Sequence, residues 1–187
     1  VSWAIWITGP PGSGKSSVAR AAAALLRARG EPVTVLELDA IRKKITPVPR
    51  YTDAERDLVY RALGYMAATL VEAGVPVIVD ATAHRRVWRD AARAAIPRFA
   101  EVQLSCPLEV CRERERTRQR GHAPAGIYAR AGRPGATVPG VDVPYEPAFA
   151  AELRIDTAVD DVATAAAKVA ALAQRLVASD ACASRAS

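Results

Sequence analysis

The stretch Gly9-Pro10-Pro11-Gly12-Ser13-Gly14-Lys15-Ser16 constrains this chain more than any other. It satisfies the pattern G-x-x-x-x-G-K-[ST] at every fixed position. Its surroundings satisfy it too. Trp3-Ala4-Ile5-Trp6-Ile7-Thr8 reads as a buried strand running into the loop, and Ser17-Val18-Ala19-Arg20 opens a long helical stretch behind it. The glycines allow positive φ, so backbone N–H groups can gather around an anion. The following helix points its positive end at the same place. In such a loop the lysine, here Lys15, reaches the β- and γ-phosphates, and the Ser16 hydroxyl can ligate Mg²⁺. Gly9 through Ser17 are therefore the candidate nucleotide contacts, with ATP and Mg²⁺ the implied cofactors. The alternative, a Gly/Pro-rich turn carrying an exposed lysine, leaves the strand and helix around it unexplained.

A chain of 187 residues that is 50% apolar can bury a sizeable core in one domain. That domain is expected over residues 1–178, with 179–187 a small, polar, frayed tail. No apolar run is long enough to span a bilayer and no secretory signal is visible, so a cytoplasmic chain with no membrane association is expected. Cys106, Cys111 and Cys182 lack metal-type spacing, and their odd number argues against a disulfide framework. The first two are expected to pack at a strand end and in a helix. The net charge of +6 raises nucleic-acid binding. Its distribution argues otherwise: much of the arginine lies in Arg112-Glu113-Arg114-Glu115-Arg116-Thr117-Arg118-Gln119-Arg120, with acids interleaved and few aromatics to stack on bases. That run reads either as a solvated helix face or as a helix that leans arginines over phosphates.

Strand-like and helical runs alternate, which predicts an α/β fold with a mostly parallel five-stranded sheet covered on both faces. Strands are expected near 4–8, 33–38, 75–79, 101–105 and 152–155. Helices are expected near 15–29, 53–73, 85–95, 107–118 and 161–177. Gly121–Pro147 is rich in Gly and Pro without clean periodicity and reads as a lid loop, within a lid region of about 112–147. Ligands of open parallel sheets sit beyond the carboxyl ends of the strands. Two acids stand at such ends: Asp39 after Val35-Leu36-Glu37-Leu38, and Asp80 after Val77-Ile78-Val79. Beside a phosphate loop, one acid can help hold Mg²⁺ with Ser16 while the other accepts the proton of an attacking hydroxyl. Each Asp can instead be a cap or turn residue. Glu37, two residues before Asp39, is expected on the same strand face. His84 and His122 lack ligand spacing and read as surface or loop imidazoles. Trp3, Trp6 and Trp88 read as packing residues.

The order of these segments resembles the adenylylsulfate kinase family, from Trp6-Ile7-Thr8-Gly9 to Ile155-Asp156-Thr157. The junction Cys106-Pro107-Leu108-Glu109-Val110-Cys111 is similar to the family's, and so are the lid pieces Ala129-Arg130-Ala131-Gly132 and Asp142-Val143-Pro144-Tyr145-Glu146-Pro147. The family phosphorylates the 3′-hydroxyl of adenylyl sulfate and has a P-loop nucleoside-triphosphate hydrolase fold. Glu37-Leu38-Asp39-Ala40-Ile41-Arg42 stands where the family has Asp-Gly-Asp-Asn-x-Arg. The resemblance implies Asp39 as base or hydroxyl-orienting group and Arg42 as an anion contact. It implies Tyr51 and Arg56 as further acceptor contacts and Arg114 as a lid arginine near ATP; Asp80, Arg130 from the lid and Val138 complete the expected acceptor contacts. It implies a homodimer as well.

The departures concentrate in the acceptor half. Val59 stands where the family has Asn, and Asp80-Ala81-Thr82-Ala83-His84 where it has Ser-x-x-Ser-Pro. Val138 stands where a lid phenylalanine stacks on the substrate adenine, and Ala125 where the lid has lysine. Loss of a buried polar partner or of a stacking ring weakens recognition by roughly 1–3 kcal/mol each. A P-loop kinase with another hydroxyl acceptor, and a nucleotide-binding switch, are the alternatives that these changes leave open.

Overall fold

The computed structural model describes residues 2–118 and 122–183. The expected tail beyond 183, the Gln119-Arg120 end of the arginine run and Gly121 at the head of the expected lid loop lie outside those residues.

Strand β1 (Ala4–Thr8) is buried along its whole length, which is what a continuous apolar run forms at the centre of a parallel sheet. The chain continues through α1 (Lys15–Ala28), β2 (Thr34–Glu37), α2 (Leu38–Ile45), α3 (Asp53–Glu72), β3 (Val77–Asp80) and α4 (Arg86–Ala95). It closes with β4 (Phe99–Ser105), α5 (Leu108–Thr117), β5 (Leu153–Asp156) and α6 (Val162–Ala183). All pairings are parallel and the strand order is β2-β3-β1-β4-β5. The registers Ile7–Asp80 and Glu37–Asp80 bring the ends of β1, β2 and β3 level.

Alternation along the strands divides the core in two. Ile5, Ile7, Val102, Leu104 and Ile155 face α1 and α6, whose alanines Ala19, Ala22, Ala23, Ala166 and Ala170 pack with them in one buried cluster. Ala4, Trp6, Val77, Val79 and Phe99 face α3 and α4, where they meet Val59, Leu63, Trp88 and Ala92. The three tryptophans are buried as expected. Among the described residues, no helix is long and apolar enough to cross a membrane.

Three differences from the sequence expectation bear on the site. First, β2 ends at Glu37 and the chain turns at once into α2, so Asp39 lies in the first turn of a helix. Strand periodicity therefore does not carry Glu37 and Asp39 to one face; Glu37 instead takes a two-pronged ion pair from Arg20 at 2.8 and 2.6 Å. Second, α6 runs on to Ala183, through the first residues of the expected tail. Third, the Gly/Pro-rich segment contains a 3₁₀ turn at Tyr128–Arg130 and is tied to the body at several points. Its Asp142 carboxylate accepts from the N–H groups of Gly132 and Val138, both at 2.8 Å, which closes a turn without regular structure.

Candidate active site

A cavity of about 890 Å³ opens above the carboxyl ends of β1, β2 and β3. Its floor is the turn between β1 and α1. Gly12 (φ 77°) and Gly14 (φ 92°) hold left-handed backbone there. Space forbids a side chain at Gly12 as firmly as the dihedral does, because an added Cβ would come within 2.3 Å of the Cys111 carbonyl oxygen on α5. Pro11, Gly14, Ser16 and Ser17 face the cavity, whereas Gly9, Pro10 and Ser13 stand behind it and shape the turn. Ser13 N–H donates to the Pro10 carbonyl at 3.2 Å, and the Ser13 carbonyl accepts from the Thr157 hydroxyl at 2.9 Å.

Lys15 is buried and donates to the carbonyls of Gly9 (3.0 Å) and Pro10 (2.9 Å). Burial pulls its ammonium pKa down, and the charges of Asp80 and Asp39 oppose that shift. Asp80, the last residue of β3, is buried too, and desolvation pushes its carboxyl pKa up against the pull of Lys15 and a hydrogen bond with Ser16. Ser16 and Asp80 thus present hard oxygens side by side, the donor chemistry of a Mg²⁺ site completed by water and phosphate oxygens. Asp39 faces the same cavity from the first turn of α2.

Across from the loop lies a second, arginine-lined half. Arg42 is buried, ion-pairs with Glu55 at 2.9 Å and places its guanidinium 5.2 Å from the Tyr51 ring centroid. Glu55 is positioned by the start of α3, where the Thr52 side chain caps the Glu55 N–H at 3.2 Å in a T-x-x-E arrangement. Tyr51 holds φ 56°, a left-handed conformation that an L side chain rarely adopts, fixed here in the turn that presents the ring to the cavity. Arg56 reaches over to the lid, donating to the carbonyl and hydroxyl of Thr137 at 2.9 and 2.8 Å. Its neighbour Val138 is buried at the cavity wall. Val59 and Ala83 are 1% and 0% exposed and belong to the core rather than to the wall.

The arginine-rich helix turns out to do two things. Arg112 and Arg116 are exposed and pair with Glu109 and Glu113 one turn earlier, a solvated face. Arg114 turns inward, donates to Thr157 at 3.1 and 2.7 Å, and lies 4.0 Å from where a Gly14 Cβ would be. Arg130 also faces the cavity, resting on the lid carbonyls of Gly126 and Ala125. Every residue singled out beforehand as a substrate contact is therefore found around one space.

Several others were not singled out. Tyr128 donates to the Pro11 carbonyl at 2.6 Å and clasps the lid to the phosphate loop. Tyr60, one helical turn after Arg56 on α3, accepts from the Ala83 N–H at 2.9 Å. The i, i+4 spacing from Arg56 was the available signal. His84 lies in the loop between β3 and α4, as one of the two expectations had it, but it is not at the surface: it is 4% exposed at the cavity wall. Arg89 is wholly buried and carried no sequence signal beyond its place on an amphipathic helix. It ion-pairs with Glu101 at 2.6 Å and donates to the carbonyls of Ala83 and of Glu146, the latter at 2.6 Å. Cys106 and Cys111 are free thiols at the end of β4 and in α5.

The family model described as adenylylsulphate kinase matches residues 1–156. A probable adenylyl-sulfate kinase of Archaeoglobus fulgidus is 36% identical over 164 residues, which are 86% of this chain and 99% of that protein. The adenylyl-sulfate kinase of Microcystis aeruginosa is 34% identical over 167 residues, covering 88% and 87% of the two chains. Among solved structures, the APS kinase CysC of Mycobacterium tuberculosis, in complex with AMPPNP and APS, superposes with a TM-score of 0.80 at 30% identity, covering 91% of this chain and 96% of that one.

Proposed function

The chain belongs to the adenylylsulphate kinase family, and on that premise we propose that it transfers the γ-phosphate of ATP to the 3′-hydroxyl of adenylyl sulfate. One domain, residues 1–178 with its lid, carries both half-sites. The observation that supports the reading best is the placement of Lys15, Asp39 and the Arg42–Arg56 pair around one cavity.

The loop N–H groups and Lys15 hold the triphosphate. For Lys15 this means exchanging the Gly9 and Pro10 carbonyls for phosphate oxygens, so that its buried charge is neutralised when nucleotide enters. Arg42, Arg56 and the Tyr51 ring hold the acceptor, a guanidinium pair suiting its phosphosulfate and a ring its adenine. The Asp39 carboxylate accepts the 3′-hydroxyl proton as that oxygen bonds to the γ-phosphorus and the bond to the departing ADP oxygen breaks. Ser16 and Asp80 would hold Mg²⁺, which would supply charge neutralisation to the triphosphate. Arg114 and Arg130 add positive charge from the lid side, and lid closure excludes water. Catalysis of this kind is positioning and electrostatics.

The test is coupled ADP release with Mg²⁺-ATP, with and without adenylyl sulfate, together with detection of the 3′-phosphorylated product. Turnover that depends on adenylyl sulfate is expected. Nucleotide binding without transfer to it would favour a second reading, a different hydroxyl acceptor, to which Val138 in the wall gives some support: an aliphatic side chain there leaves the base side of the acceptor pocket without a second ring.

A further inference from the structure

His84 has no part in the scheme above, yet its placement is strongly determined. It follows Ala83, whose φ of 40° is left-handed. That turn sends the Ala83 methyl into the core and the His84 ring to the cavity. The main chain here is held from three sides. Arg89 donates to the Ala83 carbonyl, Tyr60 accepts from the Ala83 N–H at 2.9 Å, and the Glu146 N–H donates to the His84 carbonyl at 2.8 Å. The ring meets Trp88 edge to face, with centroids 5.0 Å apart. Trp88 is in turn stacked on Tyr60 at 4.2 Å and donates to Asp57 at 2.7 Å. A three-ring ladder rooted in α3 and α4 therefore sets the plane of the imidazole.

Its surroundings define what the ring can bind. Arg56 and Arg85 approach from α3 and from the turn before α4, with Asp53 and Glu146 further acidic neighbours. Burial and the two guanidiniums hold the imidazole neutral, so it offers one N–H donor and one lone pair. A donor beside a buried arginine, at a pocket wall, is complementary to an anionic oxygen. Positions 59 and 83, where the resembled family carries polar side chains, are sealed in the core here and have nothing to offer the cavity. The Tyr60 oxygen accepts from the Ala83 N–H, and its own O–H is a further donor at the cavity wall.

We propose that His84 is an acceptor-binding residue whose imidazole N–H hydrogen-bonds the anionic phosphosulfate end of the acceptor beside Arg56, in place of the polar side chains absent at Val59 and Ala83. The inference rests on the adenylyl sulfate reading of the site.

The test is steady-state kinetics of the wild type, His84→Phe and His84→Asn, each substrate being varied in turn. Phenylalanine keeps a ring against Trp88 and removes the donor; asparagine restores a donor. His84→Phe is expected to raise the KM for adenylyl sulfate about tenfold, the worth of one hydrogen bond, with the KM for ATP within about twofold of wild type. His84→Asn is expected to recover part of the loss. An unmoved adenylyl sulfate KM in His84→Phe, or a parallel rise in both KM values, overturns the proposal. A wild type that does not turn over adenylyl sulfate overturns the acceptor reading itself and His84's role with it. An active wild type with unaffected variants removes His84 alone.

Discussion

The Tyr145 hydroxyl lies 2.8 Å from the Thr8 hydroxyl, joining the far end of the lid to the last residue of β1. Thr8 has one proton and directs it to the Thr82 carbonyl at 2.6 Å, so Tyr145 is the donor of the pair. Through this contact, the strand that feeds the phosphate loop, the turn after β3 and the lid share one set of hydrogen bonds. Arg89 sits beneath it, its guanidinium carbon 5.8 Å from the Tyr145 ring centroid.

Arg89 is the residue on which that set most depends. It is 0% exposed and faces Glu101, which is 3% exposed. Truncating it leaves a buried carboxyl with only the Arg93 guanidinium, 3.9 Å away, as a basic partner, together with two carbonyls that lose their donor. Arg89→Ala is expected to destabilise the fold by about 3–5 kcal/mol. Urea unfolding reads this directly, and a loss below about 1 kcal/mol, the range of a surface pair, would mean that water replaces the guanidinium without cost.

Gly12→Ala is expected to abolish tight ATP binding. The added methyl meets the Cys111 carbonyl at 2.3 Å, and φ 77° disfavours any L residue. Backbone strain alone contributes about 1–2 kcal/mol, and relief of the clash must move the loop or the start of α5. Nucleotide titration by calorimetry checks it; wild-type affinity would show that α5 can yield at this contact.

Asp39 and Lys15 are expected to separate binding from chemistry. Asp39→Asn should keep ATP affinity while lowering kcat by about 10²–10⁴-fold, the usual worth of a positioned base. Lys15→Ala should lose both affinity and rate. Near-normal turnover in Asp39→Asn would remove that carboxylate from proton transfer, and unchanged nucleotide affinity in Lys15→Ala would count against the loop assignment.

Stability in acid should carry a signature of His84. Burial beside Arg56 and Arg85 holds its imidazole down at about 4, below the ordinary 6.5. As the pH falls through 6.5 the unfolded chain takes up this proton, while the native chain refuses it until about 4. The group therefore costs nothing above that window and destabilises progressively within it. The full effect is on the order of 2 kcal/mol at the acid end, allowing for screening by water in the open cavity. Carboxylates with lowered pKa values, such as Glu37 and Glu55, act in the same direction, and Asp80 and Glu101, raised by burial, act in the opposite one. The difference between wild type and His84→Gln isolates the imidazole. The variant should lose less stability between pH 6.5 and 4, and parallel curves would refute the assignment.

Much of this was legible before any fold was known. A buried strand, the glycine-lysine-serine turn and a helix specify their own local geometry, because each depends on residues within a few positions of one another. The alternation of apolar runs placed the five strands and the helices α1, α3, α4, α5 and the start of α6 to within a few residues for the same reason, and missed α2 altogether. Asp39 and Asp80 were singled out by strand ends, and Arg42, Tyr51, Arg56 and Arg114 by the family resemblance; all six line the one cavity. What the chain alone did not decide were the meetings between distant segments. The turn at Glu37 converts a strand residue into a helix start because the sheet ends there, level with Asp80. Arg89, Tyr145 and Thr8 come together over 137 residues of separation between the last two. His84 looked like an ordinary loop imidazole until α3 and α4 closed a ladder of rings around it. Local sequence sets backbone preference and the phosphate loop; burial, and the partners that burial forces on polar groups, arise only when the layers pack.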